Sequence, residues 1–168
     1  MKIYFVLFFL TLALTSCGQM KVESPAFDSL IKPIVPKDVP LVSVNGVIDS
    51  LNLDEVTFLD AREKKEYEIS HIENAIWVGY DDFVIERVKG IDRSKTIVIY
   101  CSVGYRSGKV GKQLVDDGFE NVLNLYGGIF EWTNAGNDVV SEKGLTNEVH
   151  GYNVKWGVFL KKAKIVLD

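Results

Sequence analysis

The sequence predicts an α/β domain with a mainly parallel central sheet of about five strands, flanked by helices. Three observations carry this expectation. Short strand-forming runs alternate with amphipathic, helix-prone stretches from Leu41 to Trp132, and that alternation favours a parallel sheet with helices on its faces. The runs Val56–Leu59 and Ile97–Tyr100 have the character of strands buried on both sides. They end on Asp60 and Cys101. Sites of parallel sheets lie beyond the carboxyl ends of the strands, so both residues belong at one rim.

The elements follow in order. Leu41–Val44 is a short strand, and Asn45 can cap a helix to Leu51. After Val56–Leu59, the charged stretch Glu63–Ile69 is helix-prone, and Ala75–Val78 is the next strand. Asp81 or Asp82 can cap a helix over Phe83–Val88. Ile97–Tyr100 leads into Cys101. Lys109–Asp117 is a helix with Val110, Leu114 and Val115 on its apolar face, stopped by Gly118 and clasped by Phe119. Val122–Leu125 is a strand, and Gly127-Gly128 turns into a helix carrying Ile129, Phe130 and Trp132. These elements place the domain at residues 41–140. Residues 141–168 hold Tyr152, Trp156, Phe159 and Leu160, enough apolar surface to demand burial. They are expected to pack back as a helix over Val154–Lys161 and a strand at Ile165–Leu167.

The beginning of the chain has a different character. Met1-Lys2 precedes an apolar run from Ile3 to Leu14, too short for a bilayer, which needs about 20 residues. A basic start with a short apolar core is the pattern of an export signal, here residues 1–16. Leu14-Thr15-Ser16-Cys17 resembles the lipobox of bacterial lipoproteins. That resemblance implies cleavage before Cys17, lipidation of Cys17, and attachment to a bacterial envelope membrane at a periplasmic or outer-membrane face; two or more acyl chains hold stably. All four prolines fall between Pro25 and Pro40, which marks residues 17–40 as a Pro-rich tether. Such a tether would hold the domain roughly 25–70 Å from the bilayer. The alternative is a short docked helix using Phe27, Leu30, Ile31 and Ile34.

Composition narrows the function. The formal net charge is −4, and nucleic acid calls for basic patches; nucleic acid is not an expected partner. With two histidines, His71 and His150, no metal site is expected. The chain has two cysteines. With Cys17 lipidated, Cys101 has no partner for a disulfide, which leaves a functional or a buried inert thiol. Its surroundings favour the first. Ser102, Val103, Gly104, Tyr105, Arg106 and Ser107 form a short loop from strand to helix. Their backbone N–H groups, with a helix N-terminus behind them, can cradle an anion. Gly104 permits a positive φ.

In combination these residues resemble the rhodanese (sulfurtransferase) family. The matching motifs are Leu59-Asp60-Ala61-Arg62, Glu66-Tyr67, His71-Ile72 before Ala75-Ile76, Val98-Ile99-Tyr100-Cys101 with its loop, and Asn124-Leu125-Tyr126-Gly127-Gly128 with Trp132. The likeness covers roughly residues 41–140 and implies a rhodanese-like three-layer domain. Two positions depart: Ser70 stands where the family commonly has Gly, and Ser102 where many active members place a basic or long polar residue. The resemblance implies that Cys101 thiolate takes sulfur from a small anionic donor such as thiosulfate or a persulfide. It then passes that sulfur to a thiol, sulfite or cyanide, in two covalent half-reactions. No cofactor is implied, and a monomer is expected. Arg106 can pair with an anionic donor or fix the loop. Four residues separate Cys101 from Arg106; related Cys-based phosphatases and arsenate reductases have one more, a wider cradle suited to phosphate. A non-catalytic rhodanese-like binding or redox-sensing module is the other alternative. Asp60 and Arg62 can brace the loop or anchor substrate; equally, Asp60 can cap the next turn while Arg62 pairs with Glu66. Tyr105 can face substrate or solvent, and His71, Tyr126 and Trp132 are expected to pack.

Overall fold

The computed structural model describes residues 22–168; the signal peptide and the lipidation site expected at Cys17 lie outside them. In chain order it contains α1 (Pro25–Ile31), β1 (Leu41–Val42), α2 (Val44–Ser50), β2 (Val56–Asp60), α3 (Lys64–Ile69) and β3 (Ile76–Trp77). There follow β4 (Thr96–Tyr100), α4 (Tyr105–Asp116), β5 (Asn121–Leu125) and α5 (Gly128–Asn134). The chain closes with β6 (Val139–Ser141), β7 (Gly144–Thr146), β8 (Glu148–His150), α6 (Val154–Gly157) and β9 (Lys164–Val166).

The central sheet has the order β1-β5-β4-β2-β3, and every pairing is parallel. Side chains alternate between the two faces of a strand, and β4 shows what this does. Val98 and Tyr100 enter one core with Phe58, Phe27, Ile31 and Phe130. Ile97 and Ile99 enter the other with Leu59, Val110 and Leu114. The α1, α2 and α5 residues therefore cover one face and α4 the other, giving the three layers of an α/β sandwich. Asp60 is level with Tyr100 in the register. The chain thus leaves β2 and β4 at the same edge, and Cys101 comes out there.

Several elements differ from the sequence expectation. The helix expected from Lys109 begins at Tyr105, so the second half of the Cys101 loop is the first turn of α4. Ser43, not Asn45, caps α2 through its side chain. Over Phe83–Val88 only a 3₁₀ turn forms, Ile85–Val88; Asp82 pairs with Arg87 at 2.6 Å instead of capping it. The helix expected over Val154–Lys161 stops at Gly157. The stop at Gly118 forms as expected, with φ +95° and Phe119 N–H donating to Leu114 C=O.

The largest difference is the tether. Residues 22–40 lie on the domain. Ser24 caps α1, and Phe27, Ile31, Val35 and Val39 are buried, whereas Leu30 and Ile34 are exposed. Proline was the misleading signal. A chain rich in residues lacking N–H can lie against a helix without needing hydrogen-bond partners. Pro36 does so over Gly108 of α4, where a Cβ would come 2.8 Å from the proline ring. The tail also packs: β8 and β9 pair in parallel, and Val149 and Leu160 join the core.

Phe27 sits at 0 % exposure between Phe130 and Phe159. Phe27→Ala is therefore expected to lower the unfolding free energy by about 3–5 kcal/mol, read by urea titration. A flexible tether would show no change.

Candidate active site

The site is built by fixing one loop from three sides. On the first side, α5 takes hold of the loop's carbonyls: Ile129 N–H donates to Cys101 C=O at 2.9 Å and Phe130 N–H to Ser102 C=O at 3.3 Å. A trans peptide holds its N–H opposite its C=O, so the N–H groups of Ser102 and Val103 point away from α5. Gly128 makes this approach feasible. Its φ is +56°, and a Cβ there would come 2.3 Å from Cys101 O. On the second side, Asn124 of β5 donates to Gly104 C=O at 2.9 Å and accepts from Ser107 Oγ at 2.7 Å. Gly104, at φ +108°, then turns its own N–H onto Cys101 Sγ at 3.1 Å. The sulfur thus faces a backbone donor and the N-terminus of α4, whose partial positive charge favours an anion.

The third side is a buried ion pair. Arg106 donates to both oxygens of Glu66, at 2.6 and 2.8 Å, and to Ser102 Oγ at 2.9 Å. Ser102 Oγ in turn donates to Glu66 at 3.1 Å. Glu66 also accepts from Glu63 N–H at 3.0 Å, which closes the first turn of α3. Burial acts to raise the Glu66 pKa, but the Arg106 hydrogen bonds and charge, with Arg62 behind, hold it below the ordinary carboxylate range. Burial likewise opposes the Arg106 charge, and Glu66 more than restores it.

The tail completes the surroundings. The Arg106 guanidinium lies 5.0 Å from the centroid of the Tyr152 ring, within cation–π range. Buried His150 accepts Tyr152 N–H at Nδ1 (3.1 Å), places Nε2 3.2 Å from Asp168, and lies 3.8 Å from Glu66. Accepting at Nδ1 leaves the ring proton on Nε2, facing Asp168. Above Cys101 is a pocket of about 130 Å³ lined by Ser102, Val103, Tyr105, Arg106, Ile34, Tyr152 and Trp156.

The family model of the rhodanese-like domain matches residues 43–135. The chain belongs to the rhodanese family. Among curated relatives it is 35% identical over 115 residues to the tRNA uridine(34) hydroxylase of Yersinia enterocolitica, covering 66% of this chain and 31% of that protein. It thus spans less than a third of the length of such relatives. Among solved structures, it resembles a rhodanese-related protein from Thermoplasma volcanium, at 27% identity and TM-score 0.51, covering 61% of this chain and 99% of the other. It also resembles a thiosulfate sulfurtransferase from Pseudomonas aeruginosa, at 25% identity and TM-score 0.53, covering 69% of this chain and 22% of the other.

Within this rhodanese domain, the residues of the loop from Cys101 to Ser107 are together, as the sequence suggests. Cys101 is a free, buried thiol. Tyr105 is exposed at the mouth. Asp60 and Arg62 are elsewhere: both are wholly buried, paired with each other at 2.6 Å, and Arg62 also donates to Ser70 C=O. They brace the sheet edge, and the partner of Arg62 is Asp60, where one of the two sequence readings paired it with Glu66. His71 stacks on Tyr67, Tyr126 bonds Asp28, and Trp132 is buried. Among the described residues no cluster of His, Cys, Asp or Glu has the arrangement of a metal site. Glu66, Asn124, His150, Tyr152 and Trp156 gained roles that the sequence did not suggest. Glu66 and Asn124 stood inside recognised motifs, but nothing in their spacing marks a buried partner.

Glu66→Gln removes the buried partner of Arg106 and leaves it only the half-exposed Glu63 at 3.8 Å, and is expected to cost about 3 kcal/mol. It also changes the pH profile. A carboxyl held below its ordinary 4.5 contributes stability that is present above that value and lost as pH falls through its folded pKa. Unfolding of the parent chain measured from pH 6 to about pH 3 should therefore steepen more than that of the variant. Parallel curves would remove Glu66 as the source.

Proposed function

We propose that this chain is a sulfurtransferase that carries sulfane sulfur on Cys101. One observation supports this most directly: Cys101 Sγ lies under a pocket mouth and receives the Gly104 N–H at 3.1 Å, at the start of α4. In the first half-reaction the Cys101 thiolate attacks the outer sulfur of thiosulfate or a persulfide. The donor's S–S bond breaks and its electron pair leaves with the sulfite or thiolate. In the second, a thiol, sulfite or cyanide attacks the terminal sulfur of the Cys101 persulfide and releases the Cys101 thiolate. Thiolate and persulfide anions alike can accept from the fixed N–H donors of the loop. Arg106, turned towards Glu66 and Ser102, acts as the clamp that shapes the loop. The chemistry requires no cofactor.

The likeness to a thiosulfate sulfurtransferase is consistent with this reading. The tRNA chemistry named for the curated relatives is not carried over: the net charge of −4 suits a nucleic-acid partner poorly. Export with a lipid on Cys17 remains part of the proposal, with the protein acting as a monomer at a bacterial envelope membrane. Because Val22 already belongs to the core, the reach from Cys17 to the domain is at most roughly 18 Å. The domain would therefore sit close against the bilayer.

The full chain, purified in detergent and incubated with a sulfane-sulfur donor, is expected to gain one sulfur atom on Cys101 by peptide mass spectrometry. Cys101→Ser should gain none. A parent chain that stays a free thiol with every donor would overturn the reading. Separately, Cys17→Ser should move the protein from the membrane to the soluble fraction of the producing bacterium; unchanged fractionation would sink the lipid anchor.

A further inference from the structure

The pocket above Cys101 has an unusual construction for a site that must attract a dianion such as thiosulfate. Among the described residues Arg106 is the one Lys, Arg, Asp or Glu lining it, and its charge is matched by Glu66 through two hydrogen bonds. Glu63 lies 3.8 Å from the same guanidinium. Its carboxyl is pushed up by burial and, against the pull of Arg106, by Asp81, Glu66 and Asp82. Glu63 thus places a second carboxylate beside the one cation that borders the pocket. Ser102 brings a short hydroxyl whose hydrogen bonds turn towards Glu66 and Arg106. The remaining wall is Ile34, Val103, Tyr105, Tyr152 and Trp156, three of them aromatic and two of them from the tail beyond the matched rhodanese segment 43–135. The backbone that carries the two tail rings is held in place. Tyr152 has φ +61° and its N–H is tied to His150. Trp156 N–H is capped by Asn153 at 3.0 Å.

Resting on the sulfurtransferase reading, we propose that this wall determines specificity. The pocket takes the uncharged, apolar or aromatic R group of an organic thiol R–SH and its hydropersulfide R–S–SH, in preference to thiosulfate. Its volume of about 130 Å³ suits one ring, since a dry cavity of about 150 Å³ holds benzene. The step balances without an oxidant or reductant. Cys101 thiolate bonds to the outer sulfur of R–S–SH, the S–S bond breaks, and its electron pair leaves on R–S⁻; the outer sulfur keeps its proton. The reverse step makes R–S⁻ the acceptor, so one pocket serves both half-reactions.

The test follows sulfur loading of Cys101 in the full chain by mass spectrometry, with benzyl hydropersulfide, glutathione hydropersulfide and thiosulfate as donors. The expected order of second-order rate constants is benzyl first, then glutathione, then thiosulfate. Trp156→Ala should lower the benzyl-to-thiosulfate ratio about tenfold, as expected for losing roughly one ring face of contact. Tyr152→Asn, a residue that tolerates the positive φ, should lower the ratio in the same direction. A ratio unchanged in both variants, with both rates falling together, would make the wall a scaffold only. Thiosulfate loading at least as fast as benzyl overturns the proposal, and glutathione loading at least as fast as benzyl moves the occupant to a peptide thiol and overturns the apolar assignment. In each of these cases the sulfurtransferase reading survives. No loading by any donor removes both.

Discussion

The Glu66–Arg106 pair is the constraint on which the site depends. Two charges taken out of water cost several kcal/mol each, and their attraction offsets this only when geometry and extra hydrogen bonds are good. Here both oxygens of Glu66 and both terminal nitrogens of Arg106 are engaged, and Ser102 closes the triangle. Such a pair contributes little net stability over apolar residues of the same size. What it does contribute is position. It ties α3, which follows β2, to the first turn of α4, which follows β4. The loop between β4 and α4 therefore cannot open without breaking a buried ion pair.

Fixing one flank of a loop does not aim its peptides. That is done from the opposite side by α5 and Asn124, which take up the carbonyls of Cys101, Ser102 and Gly104. The division of labour is economical in chemical terms. Side-chain charge is consumed in holding the loop, while backbone donors, which cannot be titrated, face the sulfur. A cradle made this way holds an anion without offering a strong unpaired cation, and that bears on which sulfur compounds can approach it.

The sheet and the nucleophile were legible in the sequence because both depend on local pattern. Ile97–Tyr100 ends on Cys101, and Gly104, Gly118 and Gly127-Gly128 sit where the chain needs positive φ. The supporting residues were hidden because their meaning is non-local. Glu66 looks like any acidic residue on a charged helix until Arg106, forty positions away, is folded against it. Ser107-Gly108 resembles loop composition, yet Ser107 is satisfied by Asn124 and Gly108 makes room for Pro36. This is why α4 begins a turn earlier than its apolar pattern suggests. The prolines of residues 22–40 signalled an open chain, while Phe27 and Ile31, one turn apart, form the buried face of α1, and Val35 and Val39 are buried beyond it. Apolar pattern was the better guide than proline content there.

Leader and tail meet each other as well as the domain. Phe27 of α1 stacks on Phe159 at 5.2 Å, and Phe159 lies 6.3 Å from Trp156. Ile34, just beyond α1, and Trp156 of α6 both line the mouth above Cys101. The packing that seats the leader is thus continuous with the packing that positions the wall of the pocket. A displacement at residue 22 has no slack segment in which to dissipate, because the chain is already in the core there. Close-packed interiors transmit strain. Seating of residues 22–40 and the shape of the pocket wall therefore rest on the same set of contacts. That holds whichever thiol enters the pocket, because Ile34 and Trp156 line it in either case.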